Sequence, residues 1–151
     1  MPTPPRSRPA STTPKPAAAT GPTRRPSAAP SSSSRAKDGR RAEQAVARFL
    51  LERGYRIVAT NLRLSYLELD VVARRGDLVV VVEVRSRGSG AWTSGFGSIN
   101  GKKRYRIRLA GMRLWQRRYQ HDASVKRLRY DAASVVFGEA GPVIEYVEAA
   151  F

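Results

Sequence analysis

Two apolar strand patterns separated by a short turn are the feature that most constrains the fold of this chain. Residues Leu67–Ala73 (LELDVVA) and Leu78–Arg85 (LVVVVEVR) have the length and the content of β-branched residues that are typical of strands. The residues between them, 74–77 (RRGD), have the composition of a tight turn. The sequence therefore predicts an antiparallel hairpin, which needs further apolar elements to cover its faces.

Three carboxylates fall within this predicted hairpin. Side chains two residues apart on a strand share a face, so Glu68 and Asp70 point to one face while Leu67, Leu69 and Val71 point to the other. With a two- or four-residue turn, Glu83 lies on the same face as Glu68 and Asp70. Ionised carboxylates this close repel one another, and a hard divalent cation such as Mg²⁺ or Mn²⁺ would relieve the repulsion. The spacing thus indicates a candidate metal site.

A second interpretation of the same acids is a surface patch of ion pairs with neighbouring arginines. Arg63, Arg85 and Arg87 lie within reach of the predicted hairpin face. Exposed pairs of this kind are common and contribute about 0–1 kcal/mol each. The spacing alone leaves both interpretations open.

The first 35 residues differ in composition from the rest of the chain. Nine of the ten prolines lie in residues 1–34, which contain no acidic residue and no Ile, Leu, Val, Phe, Tyr or Trp. We expect residues 1–35 to be a disordered basic tail and residues 36–151 to be a single domain. Because the chain has neither an apolar signal core nor a run of about 18–20 apolar residues, we expect a cytoplasmic protein without a membrane partner.

The charge of the chain predicts a polyanionic partner. The net charge is +16, and residues 36–151 alone hold 22 Lys and Arg against 12 Asp and Glu, a net charge of +10. The chain has no cysteine and a single histidine, His121, so disulfide frameworks, thiol chemistry and multi-histidine metal sites are excluded. A nucleic acid is the expected partner.

The order of the predicted elements indicates an α/β fold with about five strands in a mixed sheet flanked by helices. Asp38 is the predicted N-cap of a first helix that ends at Gly54, and residues 86–98 are a predicted Gly/Ser-rich loop. The remaining predicted elements are a strand Tyr55–Thr60, the hairpin, a helix Lys102–Gln120, and strands Tyr130–Phe137 and Val143–Val147.

The second predicted helix carries a dense set of basic residues and no acid. Tyr105 and Trp115 are interleaved with them, so the helix could attract a phosphate backbone and offer stacking surfaces. The alternative is an arginine-rich solvated face. The candidate nucleic-acid contacts are Lys102, Arg104, Arg106, Arg108, Arg113 and Arg117.

Several segments of the chain, in order, make it resemble a known family. From Asp38 to Phe151 it is similar to the YraN-like family of bacterial proteins, which is related to the restriction-endonuclease-like, PD-(D/E)xK nucleases and to Holliday-junction resolvases. The segments that carry the resemblance are GRRAEQAVARFLLERGYRIVATNLR, LELDVVARRGDLVVVVEVRSR, INGKKRYRIRLAGMRLW, RYDAASVVFG and EAAF. The resemblance implies a restriction-endonuclease-like core.

The resemblance also implies roles for individual residues. Asp70 and Glu83 correspond to the acidic metal ligands, Glu68 and Glu43 to further acids of the family pattern, and Mg²⁺ or Mn²⁺ to the cofactor. Lys103 corresponds to the lysine of the second helix. Arg85 stands where the family motif has Lys, and because arginine cannot act as a base, it would orient the carboxylates or stabilise phosphate charge.

Two functional hypotheses follow from these observations. The first is a divalent-metal-dependent nuclease acting on DNA, including branched or structured DNA, which would favour a homodimer on a two-fold symmetric junction. The alternative is a nucleic-acid-binding module of the same fold that does not cut. A basic ribosome-associated protein is a third interpretation of the charge.

Overall fold

The computed structural model describes residues 32–87 and 100–151, which form two helices and one five-stranded sheet. This confirms the predicted α/β fold with a mixed sheet. The predicted tail up to residue 31, and the predicted loop from residue 88 to residue 98, lie outside the described residues. The elements are α1 (Ser32–Glu52), β1 (Arg56–Leu64), β2 (Leu67–Arg75), β3 (Leu78–Arg87), α2 (Gly101–Arg118), β4 (Arg127–Gly138) and β5 (Gly141–Val147).

The strands lie in the sheet in the order in which they occur along the chain. Strands β1, β2 and β3 form an antiparallel meander, β3 pairs with β4 in parallel, and β4 pairs with β5 antiparallel. In the β2–β3 hairpin Arg75 lies opposite Leu78, so Gly76 and Asp77 form a two-residue turn. Gly76 has a φ of 61°, a left-handed conformation that glycine adopts without strain. The predicted hairpin is therefore present, with a tighter turn.

The two helices cover opposite faces of the sheet. Alternate residues of β3 point to opposite sides, so Val80 and Val82 pack toward α1 whereas Val79 and Val81 pack toward α2. This explains the continuous apolar run of β3, which is buried on both faces. The helix residues in these cores are Ala42, Val46 and Leu50 of α1, and Ile107, Ala110 and Leu114 of α2.

The first helix begins earlier than the sequence pattern predicts. It starts at Ser32, inside the segment expected to belong to the tail, so Asp38 lies within the helix and is not its N-cap. Residues 31–38 (SSSSRAKD) contain neither proline nor glycine, and Arg, Ala and Lys are good helix formers. Strand β3 is also longer than predicted, because it continues through Ser86 and Arg87, the first two residues of the predicted loop.

The prediction that Leu67, Leu69 and Val71 share one face of β2 is wrong. Leu67 and Leu69 pack in the core on the α2 side, together with Val72, whereas Val71 packs on the α1 side. The described pairs between β2 and β3 begin at Val71 with Val82, so the earlier part of β2 pairs with β1. Opposite this break, between Thr60 and Leu62 of β1, Asn61 has a φ of 51°, which interrupts the regular conformation of the strand.

A buried ion pair fixes the C-terminal end of the chain to β4. Asp131 is fully buried and accepts hydrogen bonds at 2.8 Å from both Nε and Nη2 of Arg129. The Tyr146 hydroxyl donates to Asp131 at 2.5 Å, and the backbone N–H of Ala149 donates at 2.9 Å. These contacts make Asp131 a structural acid.

Helix α2 packs closely on β4 at Gly111, and we predict that Gly111→Ala destabilises the fold by about 1–2 kcal/mol. A Cβ at this position would lie 2.5 Å from the hydroxyl of Tyr130, so the helix or the ring must move. That strain outweighs the gain of up to about 1 kcal/mol expected from alanine in a helix. The matched control is Gly39→Ala in α1, where nothing lies within 4 Å and a small stabilisation is expected. Urea unfolding measures both, and equal gains would contradict the prediction.

Candidate active site

The two central carboxylates lie where β2 and β3 separate. Asp70 immediately precedes Val71, the first described partner of β3, and its Oδ2 accepts the backbone N–H of Val84 at 2.8 Å. This hydrogen bond holds the carboxylate of Asp70 against β3, beside Glu83. The structure therefore brings together the two residues for which the resemblance implies a role as metal ligands.

Glu83 is an unusual carboxylate because it is only 4% exposed. Burial and the negative charge of Asp70 raise its pKa, which is about 7 in the folded chain. Two cations act in the opposite direction: Lys103 Nζ lies 3.1 Å and Arg85 Nε 3.4 Å from Oε1 of Glu83. The carboxylate of Glu83, which lies between Asp70 and these two cations, consequently changes charge near neutral pH.

The lysine that meets Glu83 comes from the first turn of α2. Asn100 is the N-cap of this helix, and its side-chain oxygen accepts the backbone N–H of Lys103 at 2.9 Å. The cap fixes the start of the helix and with it the direction of the lysine. Asn100 has no role in the sequence prediction, although an asparagine just before a helical pattern is an ordinary N-cap signal.

Arg85 reaches the site from β3 itself. It is two residues after Glu83, so the two side chains share a face of the strand and the pair is local. Its side chain is 37% exposed, so the guanidinium borders solvent as well as Glu83. Arg85, which the resemblance aligns with the lysine of the motif, therefore lies beside Glu83.

The predicted helix glutamate, Glu43, approaches the hairpin from α1. Burial raises the pKa of Glu43, and the charges of Asp70 and Glu68 raise it further, so the three carboxylates lie within electrostatic range of one another. The side-chain amide of Asn61 in β1 donates a hydrogen bond to Glu43 Oε2. Sequence reasoning missed Asn61, whose signal is its place in the Asn-x-Arg end of the matching strand segment.

Glu68 lies at the rim of the site. Its side chain is 47% exposed, and its Oε1 lies 3.9 Å from Nε of Arg63 across the β1–β2 hairpin. This outer part of the site thus has the character of the predicted surface ion pair, whereas Glu83 is buried.

The carboxylates of the described residues determine whether the site can hold a divalent cation. Within residues 32–87 and 100–151, no three His, Cys, Asp or Glu side chains form a group arranged to hold a metal ion. The carboxylate pair Asp70 and Glu83 nevertheless fits Mg²⁺ or Mn²⁺, because Mg²⁺ is usually bound by one or two carboxylates, with water and substrate phosphate completing its shell. The residues present therefore suit a hydrated ion rather than an all-protein cage.

The six candidate nucleic-acid contacts of α2 divide between two sides of the helix. Lys102, Arg106, Arg113 and Arg117 are spaced by four, seven and four residues, which keeps them on one flank, here called the basic flank. Arg104 and Arg108 are four residues apart on the other side, where the Tyr130 hydroxyl donates to the carbonyl of Arg108 at 3.2 Å. The structure thus brings four of the six together.

None of the helices in the described residues has the length and apolar character that crossing a membrane requires. His121 is exposed just after α2.

The fold and the site define an α/β domain in which a buried carboxylate and a half-buried one lie between a basic helix and the β2–β3 hairpin. The family model described as "Uncharacterised protein family UPF0102" matches residues 42–135, and the chain belongs to this family. The match confirms the resemblance to the YraN-like proteins.

Three relatives illustrate how far the similarity extends. A UPF0102 protein of Sorangium cellulosum is 44% identical over 124 residues, which cover 82% of this chain and 86% of the relative. One from Anaeromyxobacter dehalogenans is 37% identical, covering 75% of this chain and 82% of the relative. One from Myxococcus xanthus is 35% identical, covering 75% and 87%.

Proposed function

We propose that this chain is a divalent-metal-dependent nuclease that acts on DNA, with Asp70 and Glu83 as the metal ligands. The observation that carries the proposal is the buried Glu83, which faces another carboxylate on one side and Lys103 and Arg85 on the other. A structural ion pair needs one acid and one base, whereas this arrangement keeps two acids close at a cost in repulsion. Such arrangements are concentrated at functional sites.

The chemistry of the proposed site divides between the metal and the protein. A bound Mg²⁺ or Mn²⁺ activates water and neutralises charge on a phosphoryl group. Asp70 and Glu83 hold the ion, and the hydrogen bond from Val84 orients Asp70. Lys103 and Arg85 stabilise the negative charge that develops on the phosphate. The family pattern of the PD-(D/E)xK nucleases supports this assignment by resemblance.

Two further acids assist in this proposal. Glu43, held by Asn61, adds negative charge next to Asp70 and so increases the attraction of the site for a cation. Glu68 at the rim contributes in the same sense from a more exposed position. Branched or structured DNA is the proposed substrate class, and a homodimer would match a two-fold symmetric junction.

The test is a panel of labelled single-stranded, duplex, flap and four-way-junction DNA with Mg²⁺ or Mn²⁺. We expect Asp70→Asn and Glu83→Gln each to lower cleavage by at least about 100-fold while binding persists, because each removes charge stabilisation from the reacting phosphate. The matched control is Glu145→Gln, an exposed acid on β5 that should cut like the wild type. Calorimetric titration with Mn²⁺ should show binding that Glu83→Gln weakens.

One observation favours the alternative, a module that binds nucleic acid without cutting it. Lys103 and Arg85 already compensate the charge of Glu83, and arginine cannot take a proton as lysine can. Binding without cleavage in every metal, with no Mn²⁺ uptake, would establish the module and contradict the nuclease. Cleavage gained by Arg85→Lys would show that this residue limits the reaction.

A further inference from the structure

An exposed tyrosine stands at the apex of the β1–β2 hairpin. Leu64 and Leu67 are paired, so Ser65 and Tyr66 form a two-residue turn, with Ser65 at a φ of 63°. Tyr66 is 65% exposed, although its neighbours Leu64 and Leu67 are almost completely buried. A large aromatic side chain at the tip of a turn makes little contribution to the core, which leaves its ring available for contact with a partner.

Helix α2 holds this tyrosine in place from one side. The guanidinium of Arg113 lies over the ring, 5.1 Å from its centroid, and Nη2 of Arg106 donates to the backbone carbonyl of Tyr66 at 3.2 Å. A cation over one ring face is a favourable interaction that orients the ring. The rest of the ring is open to solvent, so the side chain of Tyr66 is both oriented by α2 and accessible to a partner.

The tyrosine and the carboxylate site lie along the same stretch of α2. Lys103 reaches Glu83, and Arg106, three residues further along the helix, reaches Tyr66. Along β2, Tyr66 precedes Asp70 by four residues, or about 13 Å of extended chain. At about 3.4 Å per stacked nucleotide, that distance corresponds to a few nucleotides of one strand.

The basic flank of α2 supplies the electrostatic part of a strand-binding surface. Arg106 and Arg113, which contact Tyr66, belong to this flank together with Lys102 and Arg117. Proteins that bind single strands combine a positive track for the backbone with aromatic side chains on which bases stack. Stacking needs an open base face, which a continuous duplex does not present away from its ends.

We propose that Tyr66 stacks on an unpaired base of a DNA strand whose backbone follows the basic flank of α2. This inference rests on the proposed function for the identity of the partner, and it narrows the substrate class to DNA with unpaired nucleotides a few positions from the phosphate at Asp70 and Glu83. Tyr66 is a binding residue in this proposal and takes no part in the chemistry.

The test is equilibrium binding of the full chain, in EDTA so that nothing is cut, to a labelled single strand and to the matching duplex. We expect Tyr66→Ala to weaken single-strand binding by about 5- to 150-fold and to leave duplex binding unchanged, since stacking contributes about 1–3 kcal/mol per base. Tyr66→Phe should retain the wild-type affinity. The control is Leu51→Ala, which removes an exposed apolar side chain of α1, on the opposite face of the sheet from α2.

A fluorescent base analogue placed along the single strand gives a second measurement, because stacking on Tyr66 should quench it and Tyr66→Ala should restore its emission. If Tyr66→Ala and Leu51→Ala behave alike, or if duplex binding falls equally, the stacking role is overturned while the nuclease proposal stands. If the stacking effect is present but no metal supports cleavage, only the nuclease fails. If the chain binds neither DNA, both proposals fall.

Discussion

We expect Asp131→Ala to lower the free energy of unfolding by about 3–5 kcal/mol, the range found when one partner of a buried ion pair is removed. The carboxylate is fully buried and accepts four hydrogen bonds, two of them from Arg129. Without it, the guanidinium of Arg129 keeps Glu148 as its one acidic partner. The Tyr146 hydroxyl and the N–H of Ala149 lose the acceptor that now satisfies them.

Two variants separate the buried pair from its exposed neighbour. Glu148→Gln acts on the same arginine, but its carboxylate is 61% exposed, and we expect a loss below about 1 kcal/mol. Tyr146→Phe removes one hydrogen bond to the buried carboxylate and should lose about 1.5–3 kcal/mol. Urea unfolding measures all three. The assignment of a structural role is contradicted if Asp131→Ala is as stable as Glu148→Gln.

The second large effect concerns the pH dependence of stability at Glu83. Its pKa is about 7 in the folded chain, against 4.5 when unperturbed, so between these values the folded state binds more protons than the unfolded state. Burial of Glu83 therefore leaves stability unaffected below about pH 4.5 and reduces it progressively as the pH rises through 7. Relative to the wild type, Glu83→Gln should gain about 3 kcal/mol between pH 5 and pH 8.5.

Chemical unfolding in EDTA at the two pH values measures this difference without interference from metal. Glu145→Gln, which removes an exposed acid, should follow the wild type at both values. A constant offset between Glu83→Gln and the wild type would mean that Glu83 is ionised throughout the range, and the interpretation of its burial would fail.

The hairpin and its carboxylates could be predicted because they depend on local pattern. The period of two along β3 and the Gly76-Asp77 turn bring Glu83 and Asp70 together whatever surrounds them. The order of helices and strands was predictable for the same reason, since each apolar segment has its own period and each turn its own residues.

The contacts that complete the site could not be predicted, because they join residues that are distant in sequence. The hydrogen bond from Asn61 to Glu43 spans 18 residues, and the one from Arg106 to the carbonyl of Tyr66 spans 40. No period in the chain specifies which turn meets which helix. The change of side between Leu69 and Val71 is also a property of the assembled sheet.

The agreement between strand order and chain order has a consequence for how the domain assembles. Strands β1 to β3 close through two-residue turns, and β4 joins β5 through another short connection, so these pairings involve little loss of loop entropy. The parallel pairing of β3 with β4 closes a much longer loop, residues 88–126, which includes α2. Formation of this pairing is the expected rate-limiting step of folding, because non-local contacts slow folding. Substitutions at Val81 or Ala132 should therefore slow refolding, whereas those in the β1–β2 hairpin should mainly accelerate unfolding.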